Sequence, residues 1–171
     1  MPDIVIHVIA CAAYVGLAWH FWNTRWRRQA SGGLRGWERA AILAPLALHG
    51  WLLYDGIFAA PELRFGFAQA LSVMTWLAVL AYWSESLLHN LDGMEPLVLL
   101  AAAGSVTLPA FFPGLASSSV HSQSGEFKLH LALAMAAYGL FVIALLHAVL
   151  MLVVERRLHA KKAGFAGNLP P

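Results

Sequence analysis

Long apolar runs separated by short polar stretches recur along the whole chain. The runs lie near residues 4–22, 40–58, 67–83, 97–112 and 129–154. A helix needs about 20 apolar residues to cross the hydrocarbon core of a bilayer, and most of these runs approach that length. The fourth run is the shortest and contains Pro109, which ends or kinks a helix because proline lacks an N–H. The pattern predicts an all-α, polytopic transmembrane helical bundle with about five spans.

The runs and the polar stretches also predict the domain organisation. We expect a single transmembrane domain over residues 1–162 and a C-terminal tail over residues 163–171. The first run does not resemble a signal peptide, because Asp3 precedes it and the arginines follow it, so we expect it to be retained as a span. The small and polar stretch Gly114–Glu126 is predicted to be a mobile loop.

Composition supports a membrane protein. The 171 residues are 60% hydrophobic and 12% charged, whereas a soluble domain carries about 25% charged residues. The single cysteine, Cys11, excludes a disulfide framework and a thiolate metal cluster. We therefore expect the lipid bilayer to be the main partner and expect no nucleic-acid partner.

The basic residues predict the orientation. Five arginines between residues 25 and 39 and four basic residues between 156 and 162 make nine of the 11 lysines and arginines. The other two, Arg64 and Lys128, lie on the opposite side of the membrane if five spans alternate in direction. Basic residues favour cytoplasmic loops, so we predict an external N-terminus and a cytoplasmic C-terminus.

Histidines within the predicted spans are the candidate functional residues. They are His7, His49, His130 and His147. At 1.5 Å per residue, His49 lies about 13 Å from the inner end of its helix and His130 within about 5 Å of the outer end. His7 falls at an outer depth similar to that of His130. Two ligands of one iron must approach it at similar depth. Unless a helix tilts strongly or breaks, His49 and His130 therefore mark two sites, or one site and one structural histidine.

Each of these histidines also has a structural interpretation. His130 fits an interfacial hydrogen bond to a carbonyl or to water as well as it fits a ligand role. For His49 a hydrogen bond inside the membrane is favoured over a ligand role, and for His7 both remain open. His147 is predicted to be a polar contact between packed helices. The remaining histidines, His20, His89, His121 and His159, are predicted to be solvated.

The fifth run carries two further patterns. Ala132, Ala136 and Gly139 share one face and predict close packing against another helix. The sequence KLHLAL, which contains His130, leads to AYGLF at residues 137–141. Together they look like the H-x-x-L…Y-A helix of the cytochrome c assembly protein family, which are CcsA/CcmC-like haem-handling membrane proteins.

Other features resemble the YpjD-type inner-membrane branch of that family. They are the arginine-rich loop after the first run, His49-Gly50 in the second run, and the end of the fourth run at Pro113. The chain looks like the amino-terminal part of such a protein. Gly114–Glu126 contains no tryptophan, so the tryptophan-rich external motif of the haem-handling members is absent. The second external histidine that follows this motif in those members is also missing.

The resemblance implies a function in cytochrome c assembly. We expect a multi-pass protein of the bacterial inner membrane that binds or delivers haem at the outer face, with other cytochrome c maturation proteins as partners. The resemblance makes His130 the external axial ligand of the haem iron and His49 a further cofactor-binding candidate. His7 joins them as a candidate because of its depth.

The sequence also bears on three other classes of function, namely enzymes, accessory or scaffold proteins, and transporters. The sequence contains no nucleophile–base pair, phosphate-binding loop or metalloprotease helix, so we expect no enzymatic activity. The alternative function is that of a non-haem accessory or scaffold membrane protein with structural histidines. A transporter is less favoured, because transporters combine repeated broken helices at the midplane and only the fourth run is broken here.

Overall fold

The computed structural model describes residues 2–27, 33–59, 63–89, 93–117 and 124–166. Within these residues the helices are α1 (Pro2–Phe21), which continues as a π-helix (Trp22–Trp26), α2 (Gly36–Phe58), α3 (Phe67–Glu85), α4 (Glu95–Val106), α5 (Leu108–Phe111) and α6 (Gly125–Ala166). Two short strands, β1 (Leu63–Phe65) and β2 (Leu115–Ser117), pair antiparallel with Arg64 opposite Ala116. The predicted all-α bundle is confirmed.

The predicted spans differ in how well the helices match them. In the described chain, four helices are long and apolar enough to cross a membrane: Ile4–Trp26, Gly36–Ile57, Phe67–Glu85 and Gly125–Arg156. The protein is therefore a multi-pass membrane protein. The fourth predicted span corresponds to a shorter apolar segment, Glu95–Phe111, which is interrupted at Thr107. Pro109 lies in the first turn of α5, where a missing N–H costs no intrahelical hydrogen bond.

The short helix α4 lies at the centre of the bundle. It packs on both α1 and α3, and eight of its 12 residues are buried. A helix that is covered by protein does not need to match the thickness of the lipid around it, which explains how a 12-residue helix fits here. The core around it includes Tyr14, Phe21, Ile42, Val79 and Leu99.

The last helix is longer than its predicted span. At 42 residues α6 is about 63 Å long, which is about twice the thickness of the hydrocarbon core. The predicted tail begins inside this helix, which ends at Ala166, and residues 167–171 lie outside the described chain. The close packing predicted from the small residues is confirmed at Gly139, where an added Cβ would lie 3.0 Å from the Cβ of Leu77 in α3. Ala132 and Ala136 are exposed, so the prediction is wrong for them.

Both strands lie at the end of the bundle where α1 begins and α2 ends. We call this the outer end, following the predicted orientation. A Cβ on Gly114 would lie 2.8 Å from the backbone nitrogen of Phe65, so glycine permits the close approach of the two strands. The prediction that Gly114–Glu126 is a mobile loop is wrong for β2 and for the first turn of α6. Residues 118–123, including His121, lie outside the described residues.

Candidate functional site

His7 is held in a fixed orientation near the outer end of α1. Its side chain is 9% exposed, and Nδ1 donates a hydrogen bond of 2.5 Å to the carbonyl oxygen of Val106. Val106 is the last residue of α4, where backbone carbonyls lose their intrahelical donors. A carbonyl can only accept, so Nδ1 carries the proton and Nε2 of the neutral ring keeps its lone pair. This arrangement is typical of histidines that bind a metal through Nε2.

A cavity of about 470 Å³ lies beside His7. Its walls come from the start of α1, the end of α2, β1, the start of α3 and α5, with lining residues that include Ile4, His7, Leu52, Asp55, Arg64 and Gln69. The break between α4 and α5 and the β1–β2 pair bring these segments together. Ligand pockets in proteins commonly measure about 300–1,000 Å³, so the cavity has the size of a small-molecule site.

Gln69 gives this cavity an unsatisfied polar atom. The residue is 4% exposed, and its Nε2 donates a hydrogen bond of 3.3 Å to the carbonyl of Phe112. Its Oε1 is buried and has no hydrogen-bond donor among the described residues. Buried polar atoms in native proteins nearly always have a partner, so an amide acceptor without one indicates a water molecule or a ligand at this wall.

The structure gives His49 hydrogen bonds on both sides of its ring. The side chain is fully buried; Nε2 lies 2.8 Å from the hydroxyl of Ser72, and Nδ1 lies 3.4 Å from the hydroxyl of Tyr14. A second polar contact, between the hydroxyls of Thr75 and Ser105, lies in the same interior. His49 could coordinate iron only after losing one of these hydrogen bonds, because each ring nitrogen already has a partner.

His130 is separate from the cavity. It is exposed near the start of α6 and is not among the residues that line the space beside His7. Met135, which packs toward the bundle with 8% exposure, lies five residues further along, or about 140° around the helix. His130 therefore points away from the side of α6 that contacts α3, and the structure does not bring it together with His7 or His49.

Two of the other histidines differ from their predictions. His147 is exposed rather than packed between helices, so that prediction is wrong. His20 is not simply solvated, because its Nε2 lies 3.1 Å from Oε1 of Glu38.

His20 belongs to a buried charge cluster at the inner end that the sequence interpretation missed. Arg25 donates to Oε2 of Glu38 at 2.9 Å, and its Nε lies 3.6 Å from Oε1 of Glu95. The three side chains are 8%, 4% and 2% exposed. One feature could have indicated this cluster. Glu38 and Glu95 each lie in the first turn of a helix that starts at the inner end, and a carboxylate is favourable at a helix N-terminus.

Within the part of the chain that the structure describes, neither end of the bundle contains a metal site made of protein groups alone. Among the described residues, no three or more histidine, cysteine, aspartate or glutamate side chains lie close enough together to hold an ion. Single histidines remain the available ligands, and a single imidazole is sufficient as an axial ligand of an iron already held by a porphyrin.

Comparison with known proteins identifies the family of the chain. The family model described as Cytochrome C assembly protein matches residues 40–171, a segment that contains His49 and His130 but not His7. No curated protein and no solved structure matches the chain. Because the model covers well over half of the 171 residues, the chain belongs to the cytochrome c assembly protein family.

Proposed function

We propose that the chain binds haem, or passes it on, at the outer face of a bacterial inner membrane. Membership of the family gives the protein a role in cytochrome c biogenesis, and its long apolar helices make it a multi-pass membrane protein. The observation that carries the haem proposal is the environment of His7. Its ring is buried and oriented by Val106, and it lines a cavity of ligand size.

The residues around this cavity fit a haem group. Nε2 of His7 is suited to the iron, because Nδ1 is already committed as a hydrogen-bond donor. The guanidinium of Arg64 is suited to a propionate, since its donors match both oxygens of a carboxylate. Ile4 and Leu52 form apolar parts of the cavity wall. When bound, haem would contribute a redox-active iron, and the side chains would orient it and limit its contact with water.

We retain His130 as the proposed external axial ligand. Its imidazole is exposed at the outer end of α6 and forms no hydrogen bond with any described residue, so both ring nitrogens are accessible. A porphyrin lying against the exposed side of α6 could reach it. His7 and His130 would then be ligands at two separate positions, and His49 would stabilise the interior through Ser72 and Tyr14.

Two finer features of the proposal rest on the sequence, one on its lack of catalytic motifs and the other on its resemblance to relatives. We propose that the protein has no catalytic turnover of its own and belongs to the YpjD-type branch of the family. Besides the lipid bilayer, its proposed partners are haem and other cytochrome c maturation proteins.

Haem titration of the purified protein in detergent tests this function. We expect wild-type protein to develop a Soret band, and we expect His130→Ala and His7→Ala each to remove or strongly weaken part of that absorbance. His147→Ala is the matched control, because this histidine is exposed on the same helix as His130 but lies toward its inner half. It should leave the absorbance unchanged.

The titration also separates the proposal from its alternative. A Soret band that survives both His7→Ala and His130→Ala would contradict the ligand assignments. If wild-type protein of correct size and helicity develops no band, the haem proposal fails and the non-haem accessory or scaffold function replaces it.

A further inference from the structure

A second cavity, lined almost entirely by apolar side chains, lies between α3 and α6 near the outer end. The two helices touch at Gly139, where an added Cβ would lie 3.0 Å from the Cβ of Leu77 and 3.2 Å from the carbonyl oxygen of Met74. Toward the outer end they separate and leave a space of about 240 Å³. We call this space the α3–α6 crevice. It shares no lining residue with the cavity beside His7.

The chemistry of the crevice restricts its occupant. Its walls are formed mainly by Val73, Trp76 and Leu77 of α3 and by Leu131, Ala132 and Met135 of α6. The indole N–H of Trp76 already donates to the carbonyl of Leu46 at 2.8 Å, so it offers no free donor to a ligand. Burying a polar group without a hydrogen bond is unfavourable, so the part of a ligand that enters the crevice must be hydrocarbon.

One positive charge lies at the edge of the crevice. Lys128 lines it, is exposed, and forms no ion pair with any carboxylate in the described chain. It is also one of only two basic residues of the sequence that fall on the predicted outer side, the other being Arg64 in the cavity beside His7. An exposed lysine above an apolar space matches a molecule with an anionic head and a hydrocarbon tail.

The crevice is also open to the bilayer. Ala132 is exposed although it lines the crevice, because α6 packs against the rest of the bundle along one side only. Lipid can therefore enter laterally without passing through water. Phe65 lines the crevice and its neighbour Arg64 lines the other cavity, as expected for successive residues on opposite faces of β1.

We propose that the α3–α6 crevice binds one acyl chain of an anionic phospholipid, with the head group next to Lys128. A neutral phospholipid would fill the same apolar space but would lack the charge interaction. A helix from a second protein copy is the competing occupant, and it would bind independently of lipid head-group charge.

Native mass spectrometry of the full chain in detergent, with added phosphatidylglycerol or phosphatidylcholine of identical acyl chains, tests the proposal. We expect one retained phosphatidylglycerol and about a fivefold preference over phosphatidylcholine, the effect of one lysine near a lipid surface. Ala132→Phe should fill the crevice and remove the retained lipid. Lys128→Gln should keep binding but lose the preference.

Ala137→Phe is the matched control. Ala137 is also exposed on α6, but it lies five residues from Ala132, or about 140° around the helix, on the side away from the crevice. It should bind lipid like wild type. Equal retention of lipid by Ala132→Phe and Ala137→Phe would overturn the proposal, as would a preference for phosphatidylglycerol that Lys128→Gln leaves unchanged. Because Lys128 is exposed, its variant tests the site even if Ala132→Phe fails to fold.

Discussion

Arg25→Met removes the cation that lies between two buried carboxylates at the inner end of the bundle. Arg25 pairs with Glu38 in the first turn of α2 and with Glu95 in the first turn of α4. Methionine keeps an unbranched apolar side chain at this position and eliminates the charge. Both acids would then lie in a largely water-free environment without the guanidinium that compensates them.

The size of the effect follows from the burial of all three groups. Removing one partner of a buried ion pair costs about 3–5 kcal/mol, because the remaining charge is left uncompensated. The low exposure of Arg25, at 8%, means that water cannot replace the lost interaction. For a chain of this size, this loss corresponds to a fall in Tm of about 6–20 °C.

Thermal unfolding in detergent, followed by tryptophan fluorescence, measures this shift. Arg27→Met is the matched control, because Arg27 is exposed two residues further along. It should change Tm little. Adding Glu38→Gln and Glu95→Gln to Arg25→Met should recover part of the loss, since the uncompensated charges are removed. If Arg25→Met lowers Tm no more than Arg27→Met does, the buried charge cluster does not stabilise the fold.

Two further predictions concern orientation and helix packing. In a protein lacking Cys11, a cysteine at Ser118 should react with an impermeant thiol reagent in intact cells. A cysteine at Ala30 should react only after the membrane is opened. Labelling at Ala30 in intact cells would show that the predicted orientation is wrong. Gly139→Leu should lower the free energy of unfolding by about 1–3 kcal/mol in a thermal or denaturant assay, because its Cβ would meet α3. An equal effect from Ala137→Leu, at an exposed position, would contradict this explanation.

The sequence predicted those helices that contain an apolar run long enough to cross the bilayer. The apolar runs that lie within α1, α2, α3 and α6 face the bilayer along part of their surface, so the length of each run reflects the bilayer thickness. The complete helix α6 extends well beyond its run. By contrast, α4 is mostly buried against other helices, with eight of its 12 residues buried, so its length is less tightly set by the bilayer. The β1–β2 pair depends on contact between segments about 50 residues apart in sequence. The local pattern of apolar and polar residues does not predict such a contact.

The sequence could predict which histidines are candidates for the site, but not which residues they contact. For His49 the sequence favoured a hydrogen bond over a ligand role, and the structure gives this residue hydrogen bonds to Ser72 and Tyr14. Whether His7 has an oriented and accessible nitrogen depends on the end of α4, about 100 residues away in sequence. The direction of His130 depends on which side of α6 packs on α3, which requires the assembled bundle.

The short length of α4 has a consequence for the order in which the helices insert into the membrane. A helix of 12 residues is about 18 Å long, which is shorter than the hydrocarbon core, and it begins with the acidic Glu95. Such a segment partitions poorly into lipid when it leaves the insertion machinery alone. We expect α1, α2 and α3 to insert before α4, because α1 and α3 provide the surfaces on which α4 packs and Arg25 pairs with its first residue. Biosynthesis would then pass through a three-helix intermediate in which the position of α4 is open.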